Sequence, residues 1–367
     1  MRISKVQIAE CSIPLPYILR LGSTEIASRD YVVLRVETDA GIYGEAIGYP
    51  RGTPLFETAG NMARALLGKD ARMRRETMLR LEQKNIPGRA ALTRGLSLFD
   101  IALWDIACKE AGQPLFRYLG GLNASAGVTA VAGYYMDRRP IAEIADEVAS
   151  LVDEGYPRVK VMLKGNDDAF DREYAAAVSK RAPGLVAADA HWSWATITEA
   201  KRLCRDLDGM GLSFLEDPFA ASDTTLTREL RNEMETPIAA GEDVFGVRAF
   251  ADLAGGIDIL RVDATTCGGV TGAMEAIHVA AAAGRTVFPH VFAPLHVHLA
   301  CSFPNVEGTE YIPKSSGADP IEMLLVDCPA VHDGKMAPSE EPGVGIRIDW
   351  QGAERNARRS TVFTAEG

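Results

Sequence analysis

Seven polar residues stand at the expected C-terminal ends of short strands at near-even spacing: Lys160, Asp189, Glu216, Glu242, Asp263, His290 and Glu310. The intervals between them are 29, 27, 26, 21, 27 and 20 residues, each close to one strand–helix unit. Three in succession are carboxylates, Asp189 in VAAD, Glu216 in FLED and Glu242 in AAGE. Carboxylates brought together repel unless protonated or neutralised. A hard divalent cation removes the conflict, and an all-oxygen set favours Mg²⁺ over zinc. Taken singly, each could instead cap the helix that follows it; the shared spacing is what argues for one metal ion per site. Asp217 and Pro218 flank Glu216, and Asp243 is an alternative to Glu242.

Such residues act together only if a scaffold gathers them. Short apolar runs at 159–163, 185–190, 212–215, 238–240, 259–262 and 286–289 alternate with helical patterns such as 141–154, 169–180 and 197–207. This alternation predicts βαβ units and a parallel sheet. So many units in succession suit a closed α/β barrel better than an open sheet. In such a barrel all strands point one way, and residues at their C-terminal ends converge on one face.

Before this region the pattern differs. Runs at 6–8, 31–37 and 41–45 predict an antiparallel sheet. The stretch 14–30 reads as a long loop of mixed polarity, flexible or functional. From about 57 to 110 the pattern is helical, with Leu96, Phe99, Leu103 and Ile106 on one face. The tail after about 325 is rich in Pro and Gly, and its strand-like 346–348 is expected to rejoin the first region. The predicted division is an α+β unit over 1–122, a barrel over 123–324 and a closing segment over 325–367.

The 367 residues are 47% apolar and 24% charged, which predicts a folded globular protein. A net charge of −11 implies no basic face for nucleic acid and no attraction to an anionic membrane. It does not exclude an anionic small substrate, because a local cation can override the global field. The opening MRISKVQIAECSIPLP reads as a strand rather than a signal peptide, and no apolar run reaches the roughly 20 residues that span a bilayer. A cytoplasmic location is expected. Cys11, Cys108, Cys204, Cys267, Cys301 and Cys328 show no metal-type spacing and are expected to be buried reduced thiols.

Several segments carry a resemblance: the helix ALTRGLSLFDIALWDIACKEAGQPLFRYLGG, the strand ends VAADAHWSW, SFLEDPF and PIAAGED, then RVDATTCGGVTGAMEA, FPH, NVEGTEY and the tail DGKMAPSEEPGVGIRID. Together they make the chain resemble the mandelate racemase branch of the enolase superfamily over essentially its whole length. The resemblance implies an α/β fold, a modified TIM barrel (β/α)₇β with an α+β capping domain. It implies Asp189, Glu216 and Glu242 as Mg²⁺ ligands, Asp263 and His290 as an Asp–His dyad, and Glu310 as the acid that hydrogen-bonds a substrate carboxylate. It also implies a homo-oligomer.

The shared step of such enzymes is removal of a proton from carbon next to a carboxylate. Enzymes commonly take roughly 8–23 kcal/mol off barriers, and here a cation and hydrogen-bond donors must meet the enolate charge. His290 is suited as base, with Asp263 fixing its tautomer. Glu310 can donate only when protonated, so it needs a raised pKa, which burial beside the anionic substrate is expected to give. Many relatives carry Lys-x-Lys on the second barrel strand; here Lys160 takes the first place and Met162 the second. A thioether cannot accept a proton, so a two-base racemase would lack one base. Reading Arg158-Val-Lys160 as the pair would restore it, and Lys164 is a further candidate if the strand bulges. Otherwise Lys160 would bind the substrate carboxylate or shape the field.

Asp189-Ala-His191 resembles the Asp-x-His of the galactonate and mannonate dehydratases, where the histidine protonates the leaving hydroxyl. On an extended segment, residues 189 and 191 would share a face. A loop histidine packed beside Trp192 and Trp194 is the plain alternative. Tyr17, Arg20, Arg29, Tyr49, Arg51 and Trp192 are candidates to bind substrate from the loops. His296 and His298 form a late His-x-His and are read as helix or loop histidines. The reading is a Mg²⁺-dependent dehydratase of an acid sugar that gives a 2-keto-3-deoxy acid. A cycloisomerase, racemase or epimerase using the same enolate is the alternative, and a non-catalytic metal-binding protein on the same fold is a third.

Overall fold

Alternating burial along the N-terminal strands builds the first sheet. The structure, a computed structural model, describes residues 1–21, 24–83 and 89–365. Strands β1 (Ile3–Leu21) and β2 (Thr24–Thr38) form a long antiparallel pair, and β3 (Tyr43–Gly48) pairs with β2. Val6, Ile8, Cys11 and Ile13 of β1 are buried, while Gln7, Glu10 and Ser12 between them are partly exposed. The predicted loop over 14–30 is therefore corrected to strand on both sides of residues 22–23, which lie outside the described residues. Pro14 and Pro16 hid it. The register jumps from Pro14↔Ser28 to Leu19↔Ile26, and this bulge absorbs prolines that cannot donate to a ladder.

Helices α1 (Leu55–Leu66), α2 (Arg74–Gln83) and α3 (Arg89–Glu110) follow; residues 84–88 of the predicted helical stretch lie outside the described residues. Leu96, Phe99, Leu103 and Ile106 of α3 are buried, and α3 packs against β3. This layer forms the cap.

Eight parallel strands make the barrel: β4 (Ala126–Ala132), β5 (Arg158–Met162), β6 (Val186–Asp189), β7 (Phe214–Glu216), β8 (Ile238–Ala240), β9 (Ile259–Val262), β10 (Thr286–Pro289) and β11 (Thr309–Tyr311). Seven helices lie between them. Strands β4 to β10 are neighbours in chain order, and β11 returns to pair with β4. The N–H of Val287 donates to the Asn305 carbonyl at 2.7 Å, and the N–H of Glu307 donates to the Val287 carbonyl at 2.9 Å. Those bonds join β10 to the lead-in of β11, so the two sheet edges meet.

The period of two sorts the barrel interior into layers. Ala187, Phe214, Ala239, Ile259 and Phe288 pack together as an apolar layer. Two residues further along the chain from four of them stand Asp189, Glu216, Arg261 and His290. An apolar floor thus carries a charged layer above it.

The cap is locked to the barrel at Gly269. Its φ is +79°, and a Cβ there would stand 2.3 Å from Asp100 Oδ1 of α3. Only glycine lets the helix Gly269–Ala282 approach so closely. Asp100 then accepts the backbone N–H of Thr271 at 3.0 Å and its hydroxyl at 2.7 Å.

The tail first adds the hairpin β12 (Val331–His332) and β13 (Lys335–Met336) to β4. The predicted strand at 346–348 is corrected to one isolated bridge, Leu325↔Ile348. The segment itself does rejoin the cap, with the Ile348 N–H donating to Glu45 Oε2 of β3 at 3.0 Å, and β14 (Ala357–Thr364) follows along β1. Its ARRSTVFT is mostly exposed edge and carries little apolar signal. Five cysteines are buried free thiols, whereas Cys328 is exposed, against expectation. No helix among the described residues is long and apolar enough to cross a membrane.

Candidate active site

Asp189 and Glu216 end their strands, whereas Glu242, Asp263 and His290 stand one or two residues beyond theirs. Lys160 and Glu310 lie within β5 and β11. All seven are buried and gather at one end of the barrel. Lys160, Asp189, Glu242, His290 and Glu310 line a cavity of about 480 Å³. Asp263 backs His290, and Glu216 lies beneath Lys160. The volume suits a small molecule. Gly241, at φ +127°, sets up Glu242: a Cβ there would stand 2.8 Å from the Arg261 carbonyl.

His290 Nδ1 is 3.0 Å from Asp263 Oδ2, which fixes the proton on Nδ1 and leaves Nε2 as the basic nitrogen. Nε2 lies 3.1 Å from Glu242 Oε2 and 3.3 Å from Arg51 Nη2. Arg51 also donates to Glu242 Oε1 at 2.6 Å and to Asp243 Oδ2 at 3.2 Å. The residue after the imidazole ties this strand end to the next one: the Val291 N–H donates to Glu310 Oε2 at 3.1 Å.

Lys160 Nζ stands 3.0 Å from Asp189 Oδ2, 3.0 Å from Glu216 Oε1 and 2.6 Å from Glu310 Oε1. Burial alone would lower its pKa, but these three carboxylates raise it well above the usual lysine range. It is a fixed cation. Arg261, missed in the sequence, is fully buried and shares two of those acids. Its Nε donates to Glu216 Oε1 at 3.0 Å, its Nη1 to the Phe288 and Pro289 carbonyls, and its Nη2 to Glu310 Oε2. The signal was present: a charged residue two before Asp263, on the inward face of a buried strand.

Glu310 sits between the same two cations. Burial pushes its carboxyl up, but Arg261 and Lys160 outweigh that and hold it far below the usual carboxylate range. Burial lifts Glu216 to about 7 against the same two cations. Asp217 is raised well above its usual range by burial, with Glu242, Glu216 and Asp189 adding to it.

Among the described residues, ligand oxygens of Glu216, Asp217 and Glu242 all lie within 4.8 Å of one another. Glu216 Oε2 and Asp217 Oδ1 are buried without a hydrogen-bond partner. Buried acceptors left bare suit a cation. Asp189, expected in this set, lines the cavity and pairs with Lys160 instead.

His191 lines the same cavity, although not by strand alternation. Strand β6 stops at Asp189, and His191 and Trp192 adopt φ +47° and +58°. This left-handed turn is held by the His191 N–H on Asp189 Oδ1 at 2.9 Å and the Trp192 N–H on the Asp217 carbonyl at 2.8 Å. Burial lowers the His191 pKa, opposed by Asp189 and Glu242.

Tyr49 and Trp192 line the cavity, as do Arg29, Arg51 and Met162. Tyr17 and Arg20 do not; they edge a separate cleft with Tyr135 and Arg138, and Arg20 pairs with Glu25 and Asp137. Arg158 lies over Phe214 and Phe288 of the barrel floor, and Lys164 lies over Phe170, so of the alternative Arg158-Val-Lys160 pair only Lys160 reaches the cavity. His296 and His298 are buried in the helix Ala293–Ala300; His296 Nε2 accepts the Ala264 N–H at 3.0 Å.

The model of the mandelate racemase / muconate lactonizing enzyme N-terminal domain matches residues 4–120, and that of the enolase C-terminal domain-like family matches residues 143–352. The chain belongs to the mandelate racemase / muconate lactonizing enzyme family. This family of the enolase superfamily is a family of enzymes. Its members similar to this chain include arabinonate dehydratase of Saccharolobus solfataricus, 26% identical over 335 residues, covering 87% of this chain and 88% of the relative. L-talarate/galactarate dehydratase of Salmonella typhimurium is 26% identical over 354 residues, covering 94% and 84%. Among solved structures of the family, L-talarate dehydratase from Polaromonas sp. JS666, complexed with Mg and L-glucarate, aligns with a TM-score of 0.87 at 26% identity, covering 99% of each chain.

Proposed function

We propose that this chain is a Mg²⁺-dependent acid sugar dehydratase. It removes the proton α to a carboxylate and expels the β-hydroxyl, giving a 2-keto-3-deoxy acid. The observation that carries this reading is that two imidazoles, His290 and His191, line one cavity beside a buried acidic group. The relatives named as acid sugar dehydratases support the substrate class. The proposed cap, barrel and closing segment keep the predicted boundaries at 122 and 324.

Asp189, Glu216 and Glu242 are the proposed Mg²⁺ ligands, chosen over Asp217 because Asp189 lies on the cavity wall. The ion, when bound, supplies fixed positive charge that stabilises an enolate. His290 Nε2 takes the α-proton, and Asp263 holds the ring and steadies the imidazolium. Lys160 keeps a positive charge beside the substrate carboxylate. Glu310, tied to Lys160 and Arg261, fixes these cations rather than donating a proton. His191 gives a proton to the departing hydroxyl, which leaves as water. Tyr49 and Trp192 contact the sugar chain.

Racemisation by two bases would need a second proton acceptor, and Met162 on the cavity wall is not one. The test is a panel of aldonates and aldarates with Mg²⁺, read for 2-keto-3-deoxy acid and for α-proton exchange in ²H₂O. Product formation supports the dehydratase. Exchange without loss of water on every compound would give the site to an isomerase.

A further inference from the structure

Three permanent cations among the described residues line the cavity, and two are ion-paired with acids of the site itself. Lys160 is shared among three carboxylates, and Arg51 is bound to Glu242 and Asp243. Arg29 differs. Its Nε donates to the Ala318 carbonyl at 2.9 Å, and its guanidinium lies 5.7 Å from the Tyr49 ring centroid. Its two terminal nitrogens have no hydrogen-bond partner among the described residues. The acid of this cluster, Asp319, is turned to two phenols: it accepts the Tyr31 hydroxyl, and the Tyr49 hydroxyl at 2.6 Å. That pair of bonds also fixes the Tyr49 ring beside Arg29.

The arrangement is a half-buried planar fork, anchored through one nitrogen and open at the other two. Such a fork matches a carboxylate, which can accept both N–H groups side by side. A sugar hydroxyl would use only one of them. The reacting carboxylate already has a proposed place beside Lys160, on strand β5. Arg29 comes from β2 of the cap, a different part of the wall.

We infer that Arg29 binds a second carboxylate, at the far end of the substrate, so that the preferred acid sugar is a diacid (an aldarate) rather than an aldonate. This rests on the acid-sugar reading above and narrows it.

The test uses matched pairs with the full-length protein and Mg²⁺: galactonate with galactarate, gluconate with glucarate, arabinonate with arabinarate. Turnover is measured on the unaltered protein. Affinity is measured by calorimetry in a His290→Asn background, so that binding is read apart from chemistry. The expected result is that the tightest ligand is a diacid. Its preference over the matching monoacid should fall about ten- to hundredfold in Arg29→Gln, the scale of a charge-assisted bond. Arg29→Lys, which keeps the charge without the fork, should fall between the two and guards against a misfolded variant.

A monoacid bound as well as its diacid partner would overturn the inference. So would a preference unchanged in both Arg29 variants, which would mean that Arg29 only braces Ala318. Turnover of monoacids alone would leave the dehydratase reading standing and remove this one. No turnover, with a diacid preference that depends on Arg29, would do the reverse. No binding of any of the six would overturn the inference as well.

Discussion

Arg261 Nε stands 3.0 Å from Glu216 Oε1, with both side chains sealed from solvent in the barrel. The same guanidinium reaches Glu310, so one buried cation ties two acids of the site together. Removing one partner of such a group strands the others. Arg261→Met is expected to cost about 3–5 kcal/mol of stability, measured by urea unfolding. A loss under about 1 kcal/mol would show that the charges are not coupled in this way.

The Asp263–His290 pair predicts a graded pair of defects. His290→Asn should abolish α-proton exchange in ²H₂O, followed by proton NMR. Asp263→Asn keeps the shape but favours the wrong tautomer, and should slow exchange by about 10²–10⁴. Full exchange in His290→Asn would move the base elsewhere.

His191 is assigned to the later step alone. His191→Asn should still exchange the α-proton while product formation falls by about 10²–10⁴. Parallel loss of both rates would mean that His191 acts before the hydroxyl leaves.

Magnesium should stabilise the protein by mass action, by about 2.7 kcal/mol at a hundredfold excess over Kd, and EDTA should reverse it. Calorimetric titration of Asp189→Asn, Glu216→Gln and Glu242→Gln should show weakened binding. Asp217→Asn decides between the two acidic sets: if it weakens binding more than Asp189→Asn, Asp217 is the third ligand.

His298 gives a pH prediction away from the site. Burial pushes its pKa from 6.5 to about 3, and Nδ1 accepts the Phe116 N–H at 3.2 Å. Between those values the unfolded chain takes up a proton that the folded chain refuses. Stability therefore falls as pH drops from about 6.5 toward 3, by on the order of 4–5 kcal/mol. In His298→Asn, whose Oδ1 can accept the same N–H, urea midpoints should decline less steeply over this range. An identical decline would assign the acid lability to other groups.

Much of the scaffold was legible because strand–helix alternation repeats over short distances. The spacing of Asp189, Glu216, Glu242, Asp263 and His290 follows from one βα unit after another, and the structure brings these residues to one end of the barrel. Other features were hidden by locally misleading residues. Two prolines made 14–30 resemble a loop, and a left-handed turn rather than strand alternation carries His191.

What the amino-acid order determined by itself was which residues occupy the strand ends, since period and punctuation are local properties of a chain. The charge state of Glu310 and the open fork of Arg29 were decided only by folding. Each depends on the sum of fields and hydrogen bonds from groups far apart in the chain, as with Tyr31 and Asp319, 288 residues apart. Coulomb energy and desolvation act through space, and only the tertiary structure sets those distances.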